Sequence, residues 1–377
     1  MRWAWAEVDL DAITHNVGVV RERATPARVW AVVKADAYGH GAVPVAKAAL
    51  AGGADGLCVA LVQEGSELRR AGIDAPILVL SEQPPDELGE LVAAGLTATV
   101  YTHDGIDALA IAVDGGIDHP VHLKIDTGMH RVGAQPADAV ALADSIALHP
   151  QLALGGVFTH LAMADEPPAA ANALQLRRFD EVLDALRGAG HRPALVHAAN
   201  SAAALGIADA RRDLVRLGIA MYGIEPGPGV SDLCSDLRPA LSLRARVSFV
   251  KRVAAGEAVS YGLRHTFTTN TLVATVPIGY ADGVPRRLFG AGGDVLIHGR
   301  RLPIVGVVTM DQLMVDCGDL AVRVGDEVVL IGAQVGAAGT ASVPAEEWAA
   351  RLGTIGYEIV CGIGKRIERR HISSAPR

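Results

Sequence analysis

Between Val29 and Leu217 the sequence alternates eight times between a short apolar run and a stretch of helical character. The runs are Val29–Val33, Leu57–Leu61, Ile77–Leu80, Thr97–Tyr101, Val121–Ile125, Gly155–His160, Leu195–Ala199 and Leu214–Leu217. Val43–Ala51, Asp86–Ala93, Ala137–Leu148 and Ala171–Gly188 are among the helical stretches between them. Short β-branched runs read as strands buried on both faces, and eight such units in about 200 residues suit a closed parallel (β/α)8 barrel of the TIM type. An open doubly wound sheet would show the same alternation. It more often carries a glycine-rich phosphate loop after its first strand, and no G-x-G-x-x-G follows Val33.

The rhythm stops at Glu225-Pro226-Gly227-Pro228-Gly229, which reads as a linker or turn. From about Leu241 the runs alternate apolar and polar residues: Leu243–Val250, Thr271–Pro277, Asp294–Ile297, Leu302–Val308, Leu313–Cys317 and Glu327–Ile331, with one helix near Pro344–Leu352. The expected division is an α/β barrel over 1–240 and a mostly antiparallel β domain over 241–377. A short strand over Trp5–Leu10 precedes a helix capped by Asp11, and residues 1–10 are candidates for pairing with the second domain.

Half of the 377 residues are hydrophobic and 20% are charged, which excludes a disordered chain. A net charge of −8 without a basic block argues against a nucleic-acid surface. No apolar run approaches the roughly 18 residues a membrane helix needs, and Glu7, Asp9 and Asp11 are foreign to a signal peptide. The cysteines Cys58, Cys234, Cys317 and Cys361 are far apart and match no metal spacing, which suits a reducing, cytoplasmic setting. His119 and His122 could form a metal pair, but no carboxylate or thiolate cluster accompanies them, so no metal site is expected.

A barrel of this kind gathers functional side chains at the carboxyl ends of its strands. Lys34 ends the first run, and Tyr38 follows it by four residues. Lys124, Asp126 and Arg131 end or follow the fifth, and His160 ends the sixth. Asn200 and Ser201 follow the seventh; Arg216 lies in the eighth, with Gly218 and Ile219 after it. Loops after strands seven and eight often bind phosphate in such barrels. An amine at strand one and a phosphate cradle at strands seven and eight fit a cofactor with an aldehyde and a phosphate, the make-up of pyridoxal 5'-phosphate. In the second half, Ser260-Tyr261-Gly262 and Pro277-Ile278-Gly279-Tyr280-Ala281-Asp282-Gly283 set tyrosines in turn-like text, where they either pack or serve as acid or base.

Nearly the whole chain resembles the alanine racemase family, pyridoxal-phosphate isomerases of the barrel fold type. The resemblance rests on A-V-V-K-A-D-A-Y-G-H-G (Ala31–Gly41), L-K-I-D-T-G-M-H-R (Leu123–Arg131), F-T-H (Phe158–His160) and A-N-S (Ala199–Ser201). V-R-L-G-I-A-M-Y-G (Val215–Gly223), S-Y-G (Ser260–Gly262), P-I-G-Y-A-D-G (Pro277–Gly283) and M-D-Q (Met310–Gln312) continue it in order. It implies that Lys34 holds the cofactor as an imine and acts as one acid-base, with Tyr261 of a partner subunit as the other. Arg216 would bond the pyridine nitrogen, and His160 would lie between Arg216 and Tyr261. Tyr38, Ser201, Gly218, Ile219 and Tyr357 would hold the phosphate, with Asn200 beside the cofactor. Arg131 and the Met310 backbone would take the substrate carboxylate. Lys124 matches a lysine that is often carbamylated and bridges to Arg131. One departure is His130, where the family often has a small residue.

The reaction so implied interconverts L- and D-alanine by two bases on opposite faces, in a homodimer with shared sites, and supplies D-alanine for peptidoglycan. A racemase of serine or of broader specificity is the nearest alternative. A barrel-type amino-acid decarboxylase pairs the ring nitrogen with an acid, and Arg216 argues against it. A non-catalytic pyridoxal-phosphate carrier would not need the second domain with Tyr261. A metal-dependent barrel hydrolase lacks its ligand cluster.

Overall fold

The computed structural model describes residues 3–113, 118–337 and 339–373. Within them the chain forms two compact units: Ala12–Ala37 with Gly41–Arg238, and the N-terminal residues through Asp11 with Tyr38–His40 and Pro239 onward.

The first unit is the barrel. With the N-terminal strand Ala4–Asp9 counted as β1, its strands are β2 (Arg28–Val32), β3 (Gly56–Val59), β4 (Ile77–Val79), β5 (Ala98–Val100), β6 (His119–Lys124), β7 (Leu152–Phe158), β8 (Leu195–His197) and β9 (Leu214–Leu217). All pair in parallel, as two arcs ordered β4-β3-β2-β9 and β5-β6-β7-β8. Thr97 N–H to Ile77 O (2.8 Å) and Val79 N–H to Thr97 O (3.0 Å) join the arcs on one side; Asp213 N–H to Val196 O and Arg216 N–H to Ala199 O, both 3.0 Å, close the ring on the other. The eight apolar runs thus become eight barrel strands in sequence order, as expected. Residues of β3, β4 and β5 are buried throughout, which is why these runs are almost wholly apolar.

The Pro/Gly cluster at 225–229 is not the linker. Gly227 and Gly229 pack on Asp165 so closely that an added Cβ would lie 2.7 Å from the Asp165 side chain and 2.3 Å from its carbonyl oxygen, respectively. The barrel unit runs on to Arg238. Asn16, fully buried in the helix Leu10–Ala24, secures this extension: its amide donates to Met221 O (2.9 Å) and Arg238 O (2.8 Å) and accepts from Arg238 N–H (2.8 Å).

The second unit is a ten-stranded sheet. Its path runs Phe249–Val253, Thr271–Val276, Leu313–Asp316, Arg300–Val305, Asp294–Ile297, Glu327–Gly336, Leu241–Arg246, β1, Glu368–Ile372, and Gly339–Val343 pairs with Glu327–Gly336. Every pairing is antiparallel except that of β1 with Glu368–Ile372. The alternating text made the antiparallel ladders legible; the last strand and the small hairpin Ala258–Val259/His265–Thr266 are too short or too charged to show a period.

Asn16→Ala would leave three backbone groups without their side-chain partner. At about 1–3 kcal/mol for a buried orphan, discounted for partial solvent access, stability should fall by about 2–4 kcal/mol. Urea denaturation should show this as a lowered midpoint, with the activity per folded molecule retained.

Candidate active site

β2 ends at Val32, Val33 N–H is held by Cys58 O (2.9 Å), and Lys34 follows half-buried at the mouth of the barrel. Tyr222, fully buried at the end of V-R-L-G-I-A-M-Y-G, donates its hydroxyl to Val32 O at 2.9 Å and pins the strand two residues before Lys34. After Lys34 the backbone does something rare. Ala35, Asp36, Ala37 and Tyr38 have φ of 54°, 53°, 52° and 54°, a left-handed turn made by four consecutive L-residues. Left-handed helical geometry costs about 1–2 kcal/mol for each such residue, so the turn needs external support. Ala37 N–H bonds Val33 O (2.8 Å), Gly41 N–H bonds Asp36 O (2.9 Å), Ala42 N–H bonds the Asp36 carboxylate (2.8 Å) and Ala35 N–H bonds the Glu64 carboxylate (2.6 Å). The sequence had no signal for this turn, because none of the four residues is glycine or asparagine.

Inside the barrel lies a buried cation. Arg216, on β9, is 4% exposed, and burial lowers its pKa only to about 10, so it is protonated at neutral pH. Among the described residues no carboxylate pairs with it, and Asp213, three positions before it in the sequence, accepts Val196 N–H instead. Arg216 donates through Nη1 to His197 Nδ1 (2.7 Å) and through Nη2 to Thr159 O (2.8 Å) and Ala198 O (3.1 Å), with His160 Nδ1 at 3.3 Å. His197 Nε2 in turn lies 3.0 Å from His122 Nδ1. A guanidinium only donates, so His197 Nδ1 must accept and its Nε2 must carry the proton toward His122. Burial first, and then Arg216, pulls the pKa of His122 down to about 3; the same causes hold His197 well below its ordinary range. Both rings are therefore neutral. His122 stacks near Trp30, and His197 lies flat on Phe158 at 4.6 Å between centroids. Gly156 is required here: a Cβ would stand 2.7 Å from the His122 ring. His122 is thus part of the arginine's support and not a metal ligand paired with His119. Among the described residues no group of three or more His, Cys, Asp or Glu side chains could hold a metal ion.

Three more sequence candidates meet at the end of β6. A small cavity is lined by Lys124, Asp126, Arg131 and His160. Lys124 donates to Leu80 O (3.1 Å) and lies 5.3 Å from the Phe158 ring centre. Burial, followed by the charges of Arg216, Arg131 and Lys34, lowers its pKa to about 8. His160 is held well below its ordinary pKa by burial and then by Arg216, Arg131, Lys124 and Lys34. Burial alone would raise the Asp126 pKa, but N–H groups of His130, Gly128 and Met129 outweigh it and hold the carboxylate below its usual range. His130 takes φ of 54° in this loop and turns its side chain, 75% exposed, to solvent.

At the ends of β8 and β9, Asn200 caps the short helix Ser201–Gly206 by accepting Ala203 N–H. Ser201 Oγ accepts Gly218 N–H (2.8 Å) and Ala220 N–H (3.4 Å), which leaves its own proton to donate, and Ile219 opens the next turn. The Ser201 hydroxyl, left free to donate beside the turn at Ile219, suits a phosphate, and the neighbouring amines and Arg216 suit the rest of pyridoxal phosphate.

The C-terminal unit holds the remaining candidates. Tyr38 and Tyr357 form a tilted pair with ring centres 6.1 Å apart. Tyr261 is 73% exposed in a turn where Ser260 takes φ of 66° and donates its hydroxyl to Val307 O. It borders an open concavity of about 490 Å3 with Ser260, Thr309, Gln312 and Met314. Gly279 lets the P-I-G-Y-A-D-G loop lie against 309–310, where a Cβ would meet Thr309 O at 2.2 Å; Ala281 N–H then bonds Met310 O (3.1 Å).

Barrel, strand-end lysine and buried arginine together define a barrel-type α/β enzyme with a cationic, amine-bearing mouth. Family profiles are specific: residues 8–226 match the alanine racemase N-terminal domain and 240–371 the C-terminal domain. The chain belongs to the alanine racemase family. It is 49% identical over 373 residues to an alanine racemase of Symbiobacterium thermophilum, spanning 98% of this chain and 97% of that one. Identity to that of Thermobifida fusca is 46%, with 97% of each covered. Among solved structures, the alanine racemase from Bacillus anthracis with bound L-Ala-P superposes with a TM-score of 0.92 at 41% identity, covering 100% of this chain and 96% of that one. The Streptomyces coelicolor A3(2) enzyme gives 0.91 at 40% identity, with 98% of each covered.

The depressed histidines fix an acid limit. Their pKa in the unfolded chain is about 6.5, so the unfolded state takes up protons first as pH falls. Their contribution is present above about pH 6.5 and is lost below it, through about pH 3 for His122. Each adds up to about 1.4 kcal/mol per pH unit, in a range where carboxylates are still largely ionised. The urea midpoint should therefore drop between about pH 6.5 and pH 5, and His122→Gln should make that drop shallower.

Proposed function

We infer that the chain interconverts L- and D-alanine, with Lys34 and Tyr261 as bases on opposite faces of the α-carbon. The observation that carries this reading is Arg216, a buried cation whose partners are neutral histidines and carbonyls. When bound, pyridoxal phosphate supplies the electron sink that makes the α-proton removable. Lys34 would attach the cofactor, and Ser201, Gly218, Ile219, Tyr38 and Tyr357 would hold its phosphate, with Asn200 alongside. Arg216 would offer the ring nitrogen a hydrogen bond while keeping its own proton, which would make a weaker electron sink than an acid there and would restrain side reactions such as transamination. A decarboxylase would instead place an acid there.

Lys34 Nζ would remove the α-proton of D-alanine, and Tyr261 Oη would remove that of L-alanine. His160 accepts at Nδ1 from the arginine side, so its Nε2–H is the atom left to bond Tyr261. Arg131 and the Met310 backbone take the substrate carboxylate. An exposed tyrosine on the concave face of the C-terminal unit suits a homodimer in which each copy lends Tyr261 to the other. The product serves peptidoglycan synthesis in the cytoplasm, and no helix among the described residues is long and apolar enough to cross a membrane.

Tyr261→Ala tests the reading. It should nearly abolish solvent deuterium uptake into L-alanine, by about 10²–10⁴-fold, while sparing part of the exchange from D-alanine. Equal slowing of both enantiomers would point to one base. Lys124, with a pKa of about 8 beside Arg131, has the neutral fraction needed to add carbon dioxide and release a proton as a carbamate. With 13C-labelled carbon dioxide held at fixed dissolved concentration, a carbamate resonance should grow as pH rises through about 8 and be missing from Lys124→Ala. The same variant should raise KM for alanine about tenfold, the effect of ~1.4 kcal/mol in binding.

A further inference from the structure

We propose that Glu64 is a positioning residue for Lys34: its carboxylate holds the left-handed turn that sets where the lysine amine stands. This rests on Lys34 being the cofactor lysine and the base for D-alanine.

Glu64 is the third residue of the helix Val62–Arg70, and one of its oxygens does what a glutamate there ordinarily does. Oε2 accepts Leu61 N–H (3.2 Å) and Ala60 N–H (2.8 Å) and caps the helix. The other oxygen leaves the helix altogether. Oε1 accepts Ala35 N–H at 2.6 Å, the first amide after Lys34. One carboxylate thus ties the loop after β3 to the first residue of the left-handed turn. Asp36 works from the turn's other end, through its carboxylate to Ala42 N–H and its carbonyl to Gly41 N–H. On that side Glu64 reinforces the Ala37 N–H to Val33 O bond (2.8 Å) in opposing relaxation of Ala35 toward ordinary φ, and such a relaxation moves the Lys34 Cα with it. Reaction at an amine is sensitive to displacements of about 1 Å, which can cost 10²-fold.

All three groups bonded to Glu64 are N–H donors. A glutamine has one oxygen and one NH2, so in either orientation its NH2 must face a donor. Its oxygen can still cap Ala60 and Leu61, as glutamine does in ordinary capping boxes. Glu64→Gln therefore separates the two roles, keeping the cap and losing the turn anchor.

The test compares wild type, Glu64→Gln, Glu64→Ala and the surface control Glu67→Gln. Borohydride reduction of wild type with pyridoxal phosphate comes first, followed by peptide mapping; label on a lysine other than Lys34 would overturn the functional reading itself. With label on Lys34, three quantities are followed in each variant: the urea midpoint, the rate at which the cofactor-free protein attaches pyridoxal phosphate (by absorbance, without substrate), and α-deuterium exchange from each enantiomer. Glu64→Gln should lower the midpoint less than Glu64→Ala does, slow attachment, and slow exchange from D-alanine by about 10–10²-fold. Its exchange from L-alanine, which uses Tyr261, should stay within about threefold on the same argument. Wild-type attachment and D-alanine exchange in Glu64→Gln would overturn the proposal and leave Glu64 a helix cap. So would equal slowing from both enantiomers. If Glu64→Ala fails to fold, Glu64→Gln still decides.

Discussion

The charge on Arg216 is the constraint around which the barrel interior is arranged. A guanidinium sealed among strands must spend its hydrogen bonds on acceptors, and the usual acceptor is a carboxylate. Here the acceptors are His197 and backbone carbonyls, backed by His122 through a second ring-to-ring bond. Those rings remain neutral because burial, and then the cation beside them, makes protonation costly, and as neutral acceptors they let Arg216 stay charged without a carboxylate beside it. Phe158 and Trp30 fill the space a counter-ion would otherwise take, and Gly156 leaves room for the His122 ring. The interior thereby supplies hydrogen bonds and positive potential, but no proton of high acidity.

The barrel mouth extends the same imbalance. Lys34, Lys124 and Arg131 add cations, while Asp126 is committed to three backbone N–H groups. Such an accumulation of positive charge attracts anions, and it lowers the proton affinity of a buried amine beside it. Lys124 shows the second effect most clearly, with a pKa pulled to about 8 by burial and neighbouring charge together.

Much of this was legible in the sequence, and what was not has identifiable causes. The eight strands could be read because buried parallel strands write continuous apolar runs, and the strand-end rule then located Lys34, Lys124, His160, Ser201 and Arg216. The left-handed turn was hard to see: in A-D-A-Y only Asp36 tolerates positive φ readily, and one of its supports, Glu64, lies 29 residues along the chain. His197 and His122 were hidden for a different reason. A histidine in a short strand reads the same whether it faces a helix or the barrel axis, and only closure of the ring brings two of them together behind Arg216. The Pro/Gly cluster read as a linker or turn by its composition, and close packing on Asp165 makes those residues part of the barrel unit, which runs on to Arg238.

The placement of the first strand has a consequence for synthesis. Ala4–Asp9 lies between Leu241–Arg246 and Glu368–Ile372, partners that leave the ribosome about 230 and 360 residues after it. At about 5–20 residues per second, the strand waits roughly ten to fifty seconds for its first neighbour and longer for its second. During that interval the barrel strands, whose partners are mostly adjacent in sequence, are free to assemble. This strand is thus made long before its partners and is among the last to find its place, and its Glu7 and Asp9 keep an unpaired strand edge charged while it waits.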